Sequence, residues 1–533
     1  MIKPSPLLLG SLLAVAAASA TAAISDPVKI ESGAISGGPV ADGIRVFKGI
    51  PFAAPPVGAL RWKSPQPVAE WDGVRAADRF GDVCVQPPGR GRPNIAVLPD
   101  GPAVSEDCLY LNVWTPASTA TDRLPVMVYI YGGAFTEGAG SIGLYDGTQL
   151  AKQGVIVVTM NYRLGPFGFF AHPWLSEESE HGGSGDYGVM DMLAALGWVQ
   201  RNIAAFGGDA DNVTVFGQSA GAMAISALVG SPRSAGLFRR AISQSGAFMG
   251  FGPGRLVQPL ERAEQAGEKA AADLGVHSLE ELRALPADTI AEKLRGASVV
   301  MDGWVFPEDV AKVFAGGRQN AVDVLVGSNK DEGSFVRAMG RGGVDAERFK
   351  QQQSKRWGDL ADEFFSLYPA STDEEAASSS EAATRDGVAW EMRLYAAYQA
   401  KKGRHAYVYY FAQDPPMPDG KPDIGATHAA ELPYVFDNLG ELPLFPDGSD
   451  PVKAKASAPD HKVAHLMSSY WVNFAKTGDP NGEGLPHWPA FEDVDNGRAF
   501  VFRADDPAPE QIPEPERLRL FDALYHEQMA GDD

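Results

Sequence analysis

The sequence predicts an α/β fold, with a large, mostly parallel central β-sheet flanked by helices. Three observations predict it. Continuous apolar, β-rich runs such as Pro125–Tyr131 and Gly154–Met160 suit strands buried on both faces. Stretches of helix formers with apolar residues at helical spacing lie between such runs, and strands alternating with helices mark this class. A serine flanked by glycines, Ser219, stands where one strand gives way to the next helix.

Taken in chain order, residues 1–22 read as an export signal. Lys3 supplies the positive start, an apolar run extends from Leu7 to Ala18 around Gly10 and Ser11, and Ala18-Ser19-Ala20 or Ala20-Thr21-Ala22 offers a cleavage site. The run is short for a membrane span, so cleavage and export to the periplasm or the medium are expected, not anchoring. Residues 23–533 carry no internal repeat and no long linker, and one large domain is expected. Residues 27–80 alternate short apolar runs with Gly and Pro turns, and Val28–Glu31 and Gly43–Phe47 read as strands of a hairpin-rich start. After Pro125–Tyr131 and Gly154–Met160 come a helix over Val189–Asn202, a strand at Asn212–Phe216 and a small-residue helix from Ala222. Val322–Gly327 and Ala406–Phe411 are further strands. Residues 255–300 and 345–402 look helical and polar, as insertions or lid helices would, and the Ser-rich acidic stretch 371–386 reads as solvated helix or loop.

Charge and cysteine content narrow the partners. With 68 acidic against 46 basic residues the formal net charge is −22, and a surface this negative repels phosphate backbones and anionic headgroups. Nucleic acid is not expected as a partner. No later stretch is apolar and long enough to span a bilayer, so no stable membrane insertion is expected either. The two cysteines, Cys84 and Cys108, are too few for a Cys-only metal site, and in an exported chain an even count favours a disulfide. Closing that loop stabilises by about 3 kcal/mol in the chain-entropy account.

The chemistry is carried by four segments. Gly217-Gln218-Ser219-Ala220-Gly221 fits G-x-S-x-G between strand and helix, the context that exposes a serine hydroxyl at the carboxyl end of a sheet. Tyr131-Gly132-Gly133-Ala134-Phe135 follows a buried strand upstream, where small residues let main-chain N–H groups approach an oxyanion; Ala220 N–H would add a further donor. A serine nucleophile needs a histidine base and a carboxylate, in the chain order Ser, Asp/Glu, His. Histidines after Ser219 are His277, His405, His428, His461, His465, His487 and His526. His405 abuts a strand start, and His428, in a Gly-Ala-Thr-His-Ala-Ala-Glu loop after the Tyr-rich strand, is the best placed of the rest. For the carboxylate, Asp331 and Glu332 both stand just past the Val322–Gly327 strand, and spacing leaves the two open.

These motifs resemble the type B carboxylesterase and cholinesterase-like family of α/β-hydrolases over most of the chain, from about Val46 to about Phe491. The resemblance rests on Phe47–Ala53, Ser105–Val113, Asn161-Tyr162-Arg163-Leu164-Gly165, Phe206-Gly207-Gly208-Asp209, Asn473–Asn481 and Trp488-Pro489. It implies an α/β-hydrolase fold and hydrolysis of small carboxylic esters through an acyl-enzyme, with neither metal nor organic cofactor. It implies Ser219 as nucleophile, Glu332 within Lys330–Phe335 as acid, and His428, which precedes the run Glu431–Phe436, as base. It places oxyanion donors at Gly133, Ala134 and Ala220, puts Ser245 beside the triad in a supporting role, and pairs Cys84 with Cys108.

The departures bear on substrate. Ala134 stands where many members have glycine, which narrows the space beside the acyl group. The cholinesterases carry a tryptophan between the paired cysteines and a glutamate before the nucleophile; here Val85 to Asp107 holds no tryptophan and the preceding residue is Gln218. Both argue against choline esters. Tyr131 replaces the histidine usual in simple esterases. A hydrolase for one natural ester, amide or carbamate is the alternative, and a non-catalytic adhesion module a more distant one. Phe135 and Trp304-Val305-Phe306 are candidates for pocket wall or plain core. Oligomeric state is not written in the sequence.

Overall fold

The structure is a computed structural model that describes residues 24–87, 101–249, 257–296, 299–334, 343–417, 423–441, 456–495 and 497–530. The expected export signal, residues 1–22, lies outside the described residues, as does Phe335.

Among the described residues, ten strands form the central sheet: β1 (Arg45–Pro51), β2 (Tyr110–Thr115), β3 (Leu124–Ile130), β4 (Ile156–Met160), β5 (Gly208–Gln218), β6 (Arg240–Gln244), β7 (Asp323–Asn329), β8 (Ala406–Phe411), β9 (Arg498–Phe502) and β10 (Ala508–Gln511). Their spatial order is β10-β9-β8-β7-β6-β5-β3-β4-β2-β1. From β4 through β9 every neighbouring pair is parallel, whereas β2 on β4, β1 on β2 and β10 on β9 are antiparallel. The parallel centre explains the continuous apolar runs. Every residue of β4 and of β7 is buried, because helices cover both faces of a parallel sheet.

The helices around it include, among the described residues, α1 (Tyr187–Asn202), α2 (Ala220–Gly230), α3 (Leu260–Asp273), α4 (Asp373–Lys401), α5 (Ala458–Thr477) and α6 (Pro515–Ala530). α2 packs on β3, β5 and β6, which needs its small residues, and only one of its eleven residues, Met223, is not fully buried. α5 starts with a capping box, Ser457 and Asp460 satisfying each other's main-chain N–H groups, and stops at Gly478 with φ 85°. One contiguous set of buried apolar side chains runs from Ile24 to Tyr525.

The structure refines three of these expectations. The strand read at Gly43–Phe47 does not pair with Val28–Ile30; it becomes β1 and joins the edge of the central sheet beside β2. Residues 345–402 are helical, but α4 is no lid: it is the crossover between parallel strands β7 and β8 and packs on both. The acidic stretch 371–386 is a largely solvated helix, as expected, and forms the first half of α4, with Ala376, Ser379 and Asp386 its buried residues. Cys84 and Cys108 form a disulfide with Cα atoms 4.9 Å apart. Among the described residues, no helix is long and apolar enough to cross a membrane.

Candidate active site

The site lies at the carboxyl ends of β3, β5, β6 and β7. β5 ends at Gln218, α2 begins at Ala220, and Ser219 between them has φ 56° and ψ −124°. This left-handed conformation is costly for a residue with a Cβ and persists only where the surroundings over-determine it. Here they do. Ser219 N–H donates to the carbonyl of Gln244 at 2.8 Å, and the Ser219 carbonyl accepts from Met223 N–H at 2.9 Å. A Cβ at Gly217 or at Gly221 would stand 2.4 or 2.0 Å from the Ile130 carbonyl oxygen. The two glycines therefore let the turn press against the end of β3.

The glycine-rich loop after β3 lies against this turn. A Cβ on Gly132 would be 2.7 Å from the Gln218 carbonyl and 3.0 Å from Ser219 Cβ. Gly133 has φ 109°, and its carbonyl accepts from Thr136 and Glu137 N–H groups. Ala134 and Phe135 follow with φ 53° and 59°. The N–H groups of Gly133, Ala134 and Ala220 meet no protein acceptor among the described residues. Two come from the loop and one from the N-terminus of α2, where helix donors lack intrahelical partners. Non-glycine residues of positive φ concentrate in this region: Ala134, Phe135, Ser219, Ser245 and Ala429.

The histidine and carboxylate come from loops after β8 and β7. His428 Nδ1 lies 2.6 Å from Glu332 Oε2. Glu332 Oε1 accepts from Asn329 N–H at 2.9 Å, so the carboxylate folds back on the end of its own strand. The two loops are stitched together: Asp331 N–H donates to the Ala426 carbonyl, Ala426 N–H to Asp331 Oδ2, and Asn329 Nδ2 to the Thr427 carbonyl. This separates the two acid candidates. Asp331 is occupied by Ala426 and Lys330, and of the two carboxylates it is Glu332 that contacts His428. Among the described residues, no other histidine pairs with Glu332.

Burial of Glu332 pushes its carboxyl up, yet the charge and hydrogen bond of His428, with help from Ser245 and Asn329 N–H, outweigh that and hold it below its ordinary value. Ser245 is buried with φ 58° and lies against Glu332, though its hydroxyl completes no hydrogen bond of full geometry. The other ring nitrogen, His428 Nε2, lies 3.1 Å from Gln218 Nε2, which brings the histidine to the turn that carries Ser219.

Behind the pair sits a buried layer that sequence reasoning missed. Glu431 accepts from Gln244 Nε2 at 3.0 Å and from Asn329 Nδ2 at 2.6 Å. Burial, and to a lesser degree Glu332, push its carboxyl up despite these bonds. Trp471 Nε1 closes the layer by donating to Gln244 Oε1 at 3.3 Å. The sequence signal was a glutamate, Glu431, immediately before the apolar run Leu432–Phe436. Of the pocket candidates, Phe135 packs on Phe169 and Phe248, Val305 and Phe306 are core, and Trp304 is stacked between His181 and Arg233. Among the described residues, no group of three or more His, Cys, Asp or Glu side chains is placed to hold a metal ion.

Residues 25–509 match the sequence profile of the carboxylesterase family. The chain belongs to that family. Membership makes it a carboxylic ester hydrolase. Among relatives of this carboxylesterase, the para-nitrobenzyl esterase of Bacillus subtilis (strain 168) is 38% identical over 91% of this chain and 96% of its own. The fumonisin B1 esterase of Sphingopyxis macrogoltabida is 37% identical over 90% and 88%. A solved structure of a PNB esterase superposes with a TM-score of 0.80 at 34% identity, covering 93% of this chain and 99% of that one. The fold is thus the α/β-hydrolase fold, with a large mixed sheet flanked by helices.

Proposed function

We propose that Ser219, His428 and Glu332 are the catalytic triad of this carboxylesterase, and that Gly133, Ala134 and Ala220 bind the oxyanion. The observation that carries this reading is the 2.6 Å contact between Glu332 and His428, on a histidine whose other nitrogen faces the Ser219 turn. Ser219 Oγ attacks the ester carbonyl carbon while His428 Nε2 takes its proton. The carbonyl π pair moves to oxygen, where main-chain N–H groups meet it; such donors are each worth about 3–4 kcal/mol. Collapse breaks the bond to the alcohol oxygen, which takes the proton from His428. Water then attacks the acyl-enzyme by the same route, and Ser219 leaves with its proton restored. Glu332 stays ionised throughout, fixing the Nδ1–H tautomer and balancing the imidazolium.

Hydrolysis of p-nitrophenyl esters, with acyl chain length varied, tests this directly in the wild type beside Ser219→Ala. Removal of the nucleophile is expected to cost at least about a thousandfold in kcat. Absence of hydrolysis from both proteins, or full retention by the variant, would overturn the reading. We further propose that residues 1–22 direct export and are removed, leaving 23–533 as one domain. The Lys3-led apolar run and the disulfide support export. The N-terminal sequence of protein recovered from outside the cytoplasm tests it.

A further inference from the structure

The contact between Gln218 and His428 fits a role that the triad itself does not describe. Glu332 is an ionised acceptor, so the ring nitrogen against it, Nδ1, must carry the proton. Nε2 of the neutral ring then presents a lone pair, and only a donor can meet it. The Gln218 carboxamide, 3.1 Å away, supplies an N–H. That N–H occupies the lone pair that must accept the Ser219 proton. Once His428 is an imidazolium, Nε2 carries hydrogen and two donors would face each other, so this bond belongs to the neutral ring alone.

We propose that Gln218 is a positioning residue that follows the charge of His428, donating through its amide nitrogen to the resting ring and accepting through Oε1 from the imidazolium. A half-turn of the carboxamide exchanges the two atoms. Gly132 leaves space for it: a Cβ there would stand 3.2 Å from Gln218 Oε1. Gln218 is buried at the last position of β5, so its main chain is fixed and the side chain alone moves. No other common side chain of this length offers both a donor and an acceptor without a net charge. A glutamate here would accept from the imidazolium but could not donate to the resting ring, and its charge would favour protonated His428.

Other groups around the ring are constant across variants at 218. They are Glu332 on Nδ1, Asp331 held by Ala426 and Lys330, and Glu431 bonded to Gln244 and Asn329. Tyr409, from β8, faces both buried glutamates.

The inference rests on the proposed triad and is tested by the pH dependence of kcat/KM on a p-nitrophenyl ester, for wild type, Gln218→Glu and Gln218→Met. For Gln218→Glu the acid limb is expected to move up by about one pH unit, a tenfold loss on the acid side, with a smaller change on the plateau. For Gln218→Met the limb should not rise, while kcat falls severalfold and KM holds. An acid limb in Gln218→Glu that coincides with wild type overturns the proposal. So does a Gln218→Met enzyme with unchanged kcat. Ring-15N NMR of wild-type histidines needs no variant to fold: a lone-pair Nε2 with a hydrogen-bonded shift supports the contact, and a protonated Nε2 in the resting enzyme overturns it. Ser219→Ala separates the two readings. If Ser219→Ala loses activity while the acid limb of Gln218→Glu coincides with wild type, the role of Gln218 fails and the triad stands; if Ser219→Ala keeps activity, the triad itself has failed.

Discussion

The two halves of the site are built in opposite ways. The Ser219 half is made by main chain pressed on main chain: Gly132, Gly217 and Gly221 each bring a Cα to where a Cβ would lie within 2.7 Å of a carbonyl oxygen on a neighbouring segment. The His428 half is made by side chains bonded across long stretches of sequence. Glu332 meets His428 across 96 residues, Asn329 meets Glu431 across 102 and Gln244 meets Glu431 across 187. The first half is held by sterics, which tolerate no added atom. The second is held by polar satisfaction in a dry interior, which tolerates no lost partner. The halves should therefore fail differently, the first by losing the fold and the second by losing chemistry.

The largest expected effect separates them at once. Glu332→Gln keeps the shape but places an NH2 group against either Asn329 N–H or His428 Nδ1. In the second arrangement His428 must accept at Nδ1, which puts the proton on Nε2 where the lone pair is needed. A fall in kcat of about ten-thousandfold is expected, as when a triad carboxylate becomes an amide. KM should change little, and the thermal unfolding midpoint should fall only modestly, as the stabilising charge of Glu332 is lost. A variant that unfolds would instead mean the carboxylate is chiefly structural, and the contrast between the halves would break.

Gly221→Ala probes the other half. Its Cβ would stand 2.0 Å from the Ile130 carbonyl oxygen and 2.8 Å from the carbonyl carbon, so α2 must part from β3. Overpacking of this kind costs about 1–3 kcal/mol and sometimes more. The unfolding midpoint should drop along with activity. Loss of activity with an unmoved midpoint would show that the turn yields without strain.

The same contrast explains what the sequence made legible. A glycine demanded by a carbonyl wall leaves a fixed local pattern, so Ser219, the Gly132–Ala134 loop and the strand–turn–helix order around them could be read from the residues alone. A carboxylate that reaches a histidine 96 residues away leaves none. Asp331 and Glu332 were equal on spacing, and only family resemblance preferred Glu332; the structure separates them because Asp331 is spent on Ala426 N–H. Gln244 and Asn329 were invisible for the same reason, and Glu431 showed only as a glutamate before an apolar run. Burial drives the errors of fold as well. The parallel strands β3, β4, β7 and β8 announced themselves by β-rich, largely apolar runs, whereas β10, a four-residue edge strand with no fully buried residue, carried no such mark. α4 looked solvated because its acidic first half is, while the half that covers β7 and β8 begins near Asp386.

The smallest expected effect is the most discriminating about the polar half. Ser245 lies against Glu332 and helps to hold its carboxyl below the ordinary value, without a completed hydrogen bond. Ser245→Ala should cost less than tenfold in kcat/KM and about 1 kcal/mol or less in stability near neutral pH. The sign of the pH dependence follows from linkage. A carboxyl whose folded value is depressed stabilises the fold above its unfolded value and loses that contribution as pH falls through the folded one. Removing the hydroxyl raises the folded value of Glu332, so less stabilisation remains to be lost. Unfolding midpoints of wild type and Ser245→Ala should therefore differ near neutral pH and converge as acid protonates Glu332 in both. A gap that stays constant across that range would mean Ser245 acts by packing alone, and that Glu332 owes its charge to His428 and Asn329 without it.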